Sequence, residues 1–180
     1  MAVRTTFACA LALLTVFASG SGACAETAPK IPRVAFFGFH LINTSLEPVS
    51  AIEDERISNL DRQLRERLDQ SGRFAIVEVT PAVRSDIEAG PWIGNCNGCE
   101  TGFAKALGSD LAVWGTVQKV SNLILNINLY MRDVETGRMT FVHSVDIRGN
   151  TDVSWRRGLD YLLQHYLLPE SPLTSAPAPG

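Results

Sequence analysis

Apolar and polar positions along the chain predict five strands. Residues 33–39, 74–79 and 111–120 are short apolar runs bounded by polar or turn-forming residues, which is typical of buried strands. Residues 123–132 alternate strictly between apolar and polar, which predicts a strand with one covered and one solvated face. A turn containing Gly137 then returns the chain as a strand over residues 139–147.

Helical periodicity predicts the remaining elements. Residues 50–70 carry one apolar stripe, and Gly72 follows as the expected stop. Residues 80–87 open with Thr-Pro and are a candidate short helix, and residues 101–107 form a helix ended by Gly108. Thr151 or Asp152 is expected to cap a last helix. The apolar stripe of that helix comprises Trp155, Leu159, Leu162, Leu163 and Tyr166.

The predicted fold class is α+β. The main elements follow the order β-α-β-α-β-β-β-α, for which we expect a mixed, mainly antiparallel sheet with helices chiefly on one face. The single domain is expected to span residues 33–168, after an extended segment at residues 26–32. A disordered proline-rich tail is expected over residues 169–180.

The first 25 residues have the pattern of a secretory signal peptide. A positive start at Met1–Arg4 precedes an apolar stretch at Phe7–Phe17, and the small residues Ala23-Cys24-Ala25 form a cleavage site before Glu26. The apolar stretch is shorter than the roughly 20 residues that span a bilayer. Lipidation at Cys24 is the alternative, although Ser21 stands where the lipoprotein signal normally carries Leu. We therefore expect a periplasmic protein with no transmembrane segment after cleavage.

The amino-acid composition and the net charge exclude several classes of function. The chain is 46% hydrophobic and 19% charged, and its net charge is −3, so we expect a folded core and no nucleic-acid partner. No nucleophile elbow, phosphate loop or paired-carboxylate motif occurs. His40 and His165 have no local partner for a catalytic dyad, and His143 is expected at the edge of the core. The sequence predicts no catalytic residue, no cofactor and no metal site.

Cys96 and Cys99 are the one group of residues in the predicted mature chain whose spacing points to a specific chemistry. Two thiols at this spacing in an oxidising compartment are expected to form a disulfide across the turn residues Asn97 and Gly98. Redox exchange at a helix N-terminus and metal binding are the two alternatives. Metal binding would need two further ligands, for which the sequence shows no local candidates.

Three segments carry a resemblance to known families: RVAFFGF at 33–39, ALGSDLAVWGTV at 106–117 and DVETGR at 133–138. Together with the element order, they resemble the amino-terminal domain of TolB and the periplasmic domain of CsgG-type curli secretion lipoproteins. The chain is most similar to small exported proteins classified as domains of unknown function. The resemblance implies a non-catalytic role in the envelope, in which the domain presents surfaces to partner proteins.

The expected function is that of an exported, non-enzymatic accessory protein that binds another exported or envelope protein. Trp92 and Ile93 lie in a glycine-rich loop beside the cysteine pair, where an aromatic anchor suits a partner. Asn126, Asn128 and Tyr130 on the polar strand face complete the candidate surface. One alternative is a thiol-disulfide or metal-handling protein centred on Cys96 and Cys99. A second is a small-ligand-binding accessory of a periplasmic oxidation system.

Overall fold

The computed structural model describes residues 30–169, and the predicted signal peptide and nearly all of the predicted tail lie outside them. The elements are β1 (Arg33–Asn43), α1 (Ala51–Ser71), β2 (Ala75–Val77), α2 (Pro81–Ala89), α3 (Cys99–Ala106), β3 (Leu111–Lys119), β4 (Ile124–Asp133), β5 (Met139–Arg148) and α4 (Asp152–Leu162). A π-helical turn at Leu163–Leu167 continues α4.

The five strands form one mixed sheet in the order β2-β1-β3-β4-β5. β1 is parallel to both β2 and β3, whereas β3, β4 and β5 pair antiparallel through short connections. Parallel pairing requires a crossover, and α1 provides it between β1 and β2. The α+β class predicted from the element order is therefore confirmed.

The main core lies between one face of the sheet and helices α1 and α4. Leu60, Leu64 and Leu68 of α1 are fully buried, as the apolar stripe predicts. Trp155 and Leu159 of α4 pack into the same cluster. The two longest helices thus cover this face.

Two glycines allow close approach within that core. A Cβ atom on Gly115 of β3 would lie 2.1 Å from the ring of Phe39, and a Cβ atom on Gly158 of α4 would lie 2.4 Å from Ile147. Neither distance is compatible with a side chain. Gly115 makes room for an aromatic ring, and Gly158 lets α4 lie directly on the sheet.

The second face carries a smaller core under α3 and the loop that precedes it. Ala35 of β1 and Ala112 and Trp114 of β3 pack there with Ile93 and Ala104. The two alanines of the sheet leave space for the loop to lie close to it. The helices on this face are short, so they cover only part of it.

Two element boundaries and the exposure of one side chain differ from those predicted. β1 continues to Asn43 instead of ending at residue 39, because it stays paired with β3 as far as Lys119. α3 begins at Cys99, two residues earlier than predicted. Tyr166 is 42% exposed, although it was predicted on the buried stripe. The π-helical turn changes the angular spacing of side chains, so that Leu167 is buried instead of Tyr166, whereas Leu163 is buried as the stripe predicts.

Candidate partner-binding surface

The loop between α2 and α3 is anchored by Ile93 and presents Trp92. Ile93 is only 5% exposed and packs against the second core, so it was wrongly placed on the partner-contacting surface. The half-buried Trp92 ring stacks on His40 of β1 with centroids 4.6 Å apart and planes 5° apart. Burial lowers the pKa of His40, which favours an uncharged imidazole beneath the indole at neutral pH.

Cys96 and Cys99 are joined by a disulfide, with their Cα atoms 5.5 Å apart. The chain between them turns through positive φ angles, 56° at Asn97 and 94° at Gly98, which Asn and Gly tolerate best. The turn residues predicted to let the sulfurs approach therefore have this role. The disulfide closes the loop immediately before α3.

A partly buried ion pair connects the same segment to the sheet, and its Arg132 side chain is 27% exposed. Glu100 in the first turn of α3 is 2% exposed, and its Oε1 lies 3.1 Å from Nη1 of Arg132 on β4. The Arg132 guanidinium also lies 5.8 Å from the ring centroid of Trp114. The segment is thus held covalently at Cys99 and electrostatically at Glu100, the next residue.

The surroundings of the cysteine pair bear on its chemistry. Oε2 of Glu100 lies 3.6 Å from Sγ of Cys96, and a carboxylate at that distance disfavours the thiolate that exchange chemistry needs. Among residues 30–169, Cys96, Cys99 and Glu100 form a group whose donor atoms lie within 4.8 Å of one another. Sulfurs joined in a disulfide are not the thiolate ligands that metals prefer. This arrangement favours a bracing disulfide.

Strand register brings the polar residues of the second face into line. His40, Thr116, Asn128 and Ser144 are neighbours across four strands, and we call them the polar row. Nδ2 of Asn128 lies 3.0 Å from Oγ1 of Thr116. With strands about 4.8 Å apart, the row spans about 15 Å. Trp92 stacks on its first member.

A second line runs beside the polar row. Gln118, Asn126 and Asp146 are in register on the same face, and Asn128 donates a 2.8 Å hydrogen bond to Oδ1 of Asn126. Tyr130 stacks on Trp114 with centroids 5.4 Å apart and therefore belongs to the edge of the second core. Periodicity placed Asn126, Asn128 and Tyr130 on one face correctly. It could not identify the partners of these residues on β1, β3 and β5, because register between strands is a tertiary property.

A buried ion pair that the sequence pattern did not predict lies on the opposite face. Nζ of Lys119 lies 2.7 Å from Oε1 of Glu53, and the side chains are 2% and 1% exposed. Burial raises the pKa of Glu53, but hydrogen bonds from Lys119, the Ser50 N–H and Asn150 outweigh it and lower this pKa to about 2. The Ser50-x-x-Glu53 capping box and the apolar alternation of β3, which places Lys119 on the covered face, were available signals.

Within residues 30–169, no helix combines the length and apolar character required to span a bilayer.

Residues 32–167 match the model of a family described as "Protein of unknown function (DUF2380)". The chain belongs to this family. The prediction that the chain resembles a domain of unknown function is thereby confirmed. No curated protein sequence is significantly similar to the chain.

Solved structures give limited similarity. The C-terminal domain of LpoB from Salmonella enterica matches at 15% identity and TM-score 0.47, over 69% of this chain and 87% of that one. Lipoprotein GNA1162 from Neisseria meningitidis matches at 10% identity and TM-score 0.47, over 67% and 83%. TolB from Acinetobacter baumannii matches at 13% identity and TM-score 0.39, over 76% and 28%.

The resemblance to TolB thus has a weak structural counterpart. The resemblance to CsgG-type proteins receives no support from the family match or from these three structures. TM-scores below 0.5 establish nothing about partners or assembly.

Proposed function

We infer that the protein is a non-enzymatic accessory protein of the cell envelope, exported to the periplasm, that binds a protein partner on the second face of its sheet. The proposed contact surface comprises Trp92, the polar row apart from Thr116, Asn126 and Asp146, with Tyr130 at its border. Thr116 is only 2% exposed and accepts a hydrogen bond from Asn128 beneath this surface. The observation that supports this proposal is the stacking of Trp92 on His40, the first of the polar residues that are in register across four strands.

The chemistry of this surface suits a protein partner. Amide and hydroxyl groups can donate and accept hydrogen bonds, and an aromatic side chain beside them supplies apolar contact area. Ser144 and Asp146 are exposed on β5, whereas Asn126 and Asn128 are half-buried by their neighbours. A polar face that extends across several strands suits a macromolecule better than a small substrate, because sites for small substrates are usually concave and mostly apolar.

The bracing of the loop supports the same proposal. The Cys96–Cys99 disulfide and the Glu100–Arg132 pair hold Trp92 in place before any partner arrives. A preorganised contact loses less conformational entropy on binding. A mobile loop with the same aromatic residue would lose more conformational entropy on binding and would therefore bind the partner less tightly.

The proposed compartment rests on the signal-peptide pattern of residues 1–25 and on the disulfide. Disulfides persist in oxidising compartments and are rare in the cytosol. Fractionation of cells that produce the full chain, with free thiols trapped by alkylation, tests this. We expect a shortened, oxidised protein in the periplasmic fraction, and a reduced, full-length cytosolic protein would contradict the proposal.

Site-specific photo-crosslinking in cells tests the surface. A photoreactive amino acid at position 144, on the proposed surface, is expected to yield a defined adduct with another envelope protein. The same group at position 105, an exposed site on α3, is the control and should yield no such adduct.

A second arm tests the aromatic anchor. Trp92→Ala should reduce the adduct at position 144 by about fivefold or more, because the anchor is lost. Tyr161→Ala removes an aromatic side chain that is 48% exposed on α4 and should leave the yield unchanged. The absence of an adduct at position 144, or equal yields from positions 144 and 105, would rule out this surface.

A further inference from the structure

Helices α1 and α4 enclose a hollow of about 400 Å³ on the side of the molecule opposite Trp92. Val153, which is 47% exposed, is the apolar side chain that the lining offers to a ligand, whereas Leu60 and Trp155 lie beneath the surface and are each 1% exposed. A volume of this size lies within the usual range of small-ligand sites. The hollow is independent of the proposed partner surface.

Arginines from both helices line the hollow. Arg56 is occupied, because its Nε lies 2.6 Å from Oδ1 of Asp152 and its Nη1 donates to Asn150 at 3.0 Å. Arg62 and Arg156 are exposed, and within residues 30–169 no carboxylate oxygen lies within 4.0 Å of either guanidinium. Two cationic groups of the lining are thus not engaged in a close ion pair within the described residues.

The spacing of these groups is fixed by the packing of the helices. Nε2 of Gln63 donates a 3.0 Å hydrogen bond to the carbonyl oxygen of Arg156, which ties the two helices together beside the hollow. Nη2 of Arg62 donates to Oδ1 of Asn59 at 2.6 Å, which leaves its other N–H donors available. Guanidinium groups bind carboxylates and phosphates in a bidentate manner.

Charge in the hollow favours an anion. Asp152 is neutralised by Arg56, and Glu66, the other acidic residue of the lining, lies one helical turn beyond Arg62. Three guanidinium groups therefore face two carboxylates in a chain whose net charge is −3. Such a local excess of positive charge in an acidic protein attracts anionic ligands.

We propose that this hollow binds a small organic anion that carries a carboxylate or phosphate on an apolar body. The anionic group would lie between Arg62 and Arg156, and the apolar body would lie against Val153. This site does not depend on the proposed partner function.

Titration of the full chain with octyl phosphate, followed by amide chemical shifts, tests the proposal. We expect saturable shifts confined to residues 56–66 of α1 and 152–156 of α4. Inorganic phosphate lacks the apolar body and 1-octanol lacks the charge, so each should bind at least about tenfold more weakly. Octanoate separates the two sources of charge: binding tighter than that of octyl phosphate indicates a carboxylate ligand, and weaker binding indicates a phosphate.

The double variant Arg62→Gln/Arg156→Gln should weaken binding of octyl phosphate at least about tenfold without loss of folding, because both side chains are exposed. The matched control Arg84→Gln/Arg157→Gln removes the same charge from exposed positions outside the lining and should bind as the unaltered chain does. Unsaturable shifts, equal affinity in the two double variants, or equal affinity for 1-octanol would overturn the proposal.

Discussion

Asp61 and Arg65 of α1 bond to the backbone of β1 where β2 no longer pairs with it. The N–H of Phe39 donates to Oδ1 of Asp61 at 2.7 Å, and Nη2 of Arg65 donates to the carbonyl oxygen of Phe36 at 3.2 Å. Gly38 lies between, at a φ of +91°, and a Cβ there would lie 3.2 Å from Asp61. These side chains occupy an edge that would otherwise be free to pair with another chain.

The ionisation of Asp61 makes stability depend on pH. Burial raises the pKa of Asp61 to about 6, although the bond from Phe39 and the charge of Arg65 act in the opposite direction. The unfolded chain loses this proton near pH 4, so the folded state binds more protons between about pH 4 and 6. Protonated Asp61 therefore contributes its full share to the free energy of unfolding below pH 4, and this contribution is lost as the pH rises through 6.

Asp61→Asn should consequently raise the melting temperature at pH 7.5 by about 3 °C or more, since the amide oxygen still accepts from Phe39 and carries no charge. At pH 4 the variant and the unaltered chain should melt together. Circular dichroism melts between pH 4 and 8 measure this difference. Asp69→Asn, at an exposed site of the same helix, is the control, and a pH-independent effect of Asp61→Asn would contradict the prediction.

At the scale of elements, the Glu53–Lys119 pair joins the start of α1 to the end of β3. Lys119→Met should lower the free energy of unfolding by about 2–3 kcal/mol, because it leaves a buried carboxylate without its cation. This loss of stability is small for a broken buried ion pair, because Ser50 and Asn150 still donate hydrogen bonds to the Glu53 carboxylate. Urea unfolding measures the change.

Two further variants identify the cause. Glu53→Gln added to Lys119→Met should restore part of the loss, because an amide carries no charge to be compensated. Lys105→Met, at an exposed site, should change the free energy of unfolding by less than about 0.5 kcal/mol. A double variant no more stable than Lys119→Met alone would mean that packing, and not the unpaired charge, determines the loss.

The disulfide loop is a second link between elements. Cys96→Ser/Cys99→Ser should lower the free energy of unfolding by about 2 kcal/mol, since the ring is small and removes little unfolded-state entropy. The Glu100–Arg132 pair should still hold the loop, so partner binding should weaken but stay measurable. If binding were abolished while the stability was unchanged, the cysteines would have a chemical role instead.

At the scale of the whole molecule, the two cores differ in depth. β1, β3 and β4 lie in the interior of the sheet, whereas β2 is short and α2 buries little beyond Val83. Amide exchange should therefore be slowest in β3 and β4 and fastest in α2 and the loop after it, as hydrogen exchange with mass spectrometry would show. Protection of α2 equal to that of β3 would contradict this view of the second face.

Much of the fold was predictable because it depends on local periodicity. The alternation of β4 and the stripe of α1 each report one buried face, and both were assigned correctly. The extension of β1 was missed because it depends on pairing with β3, and the exposure of Tyr166 because a π-helical turn shifts the phase. Ile93 was misplaced because a loop has no periodicity to show which side chains face inward.

The sequence by itself determined the element order, the α+β class, the disulfide and the polar character of one strand face. These follow from the residues that are neighbours along the chain, because helices, strands and short rings are built from local contacts. Only the tertiary structure decided which polar residues form one row and which arginines share a hollow. Register and helix packing bring together residues far apart in sequence, and no local pattern records their distances.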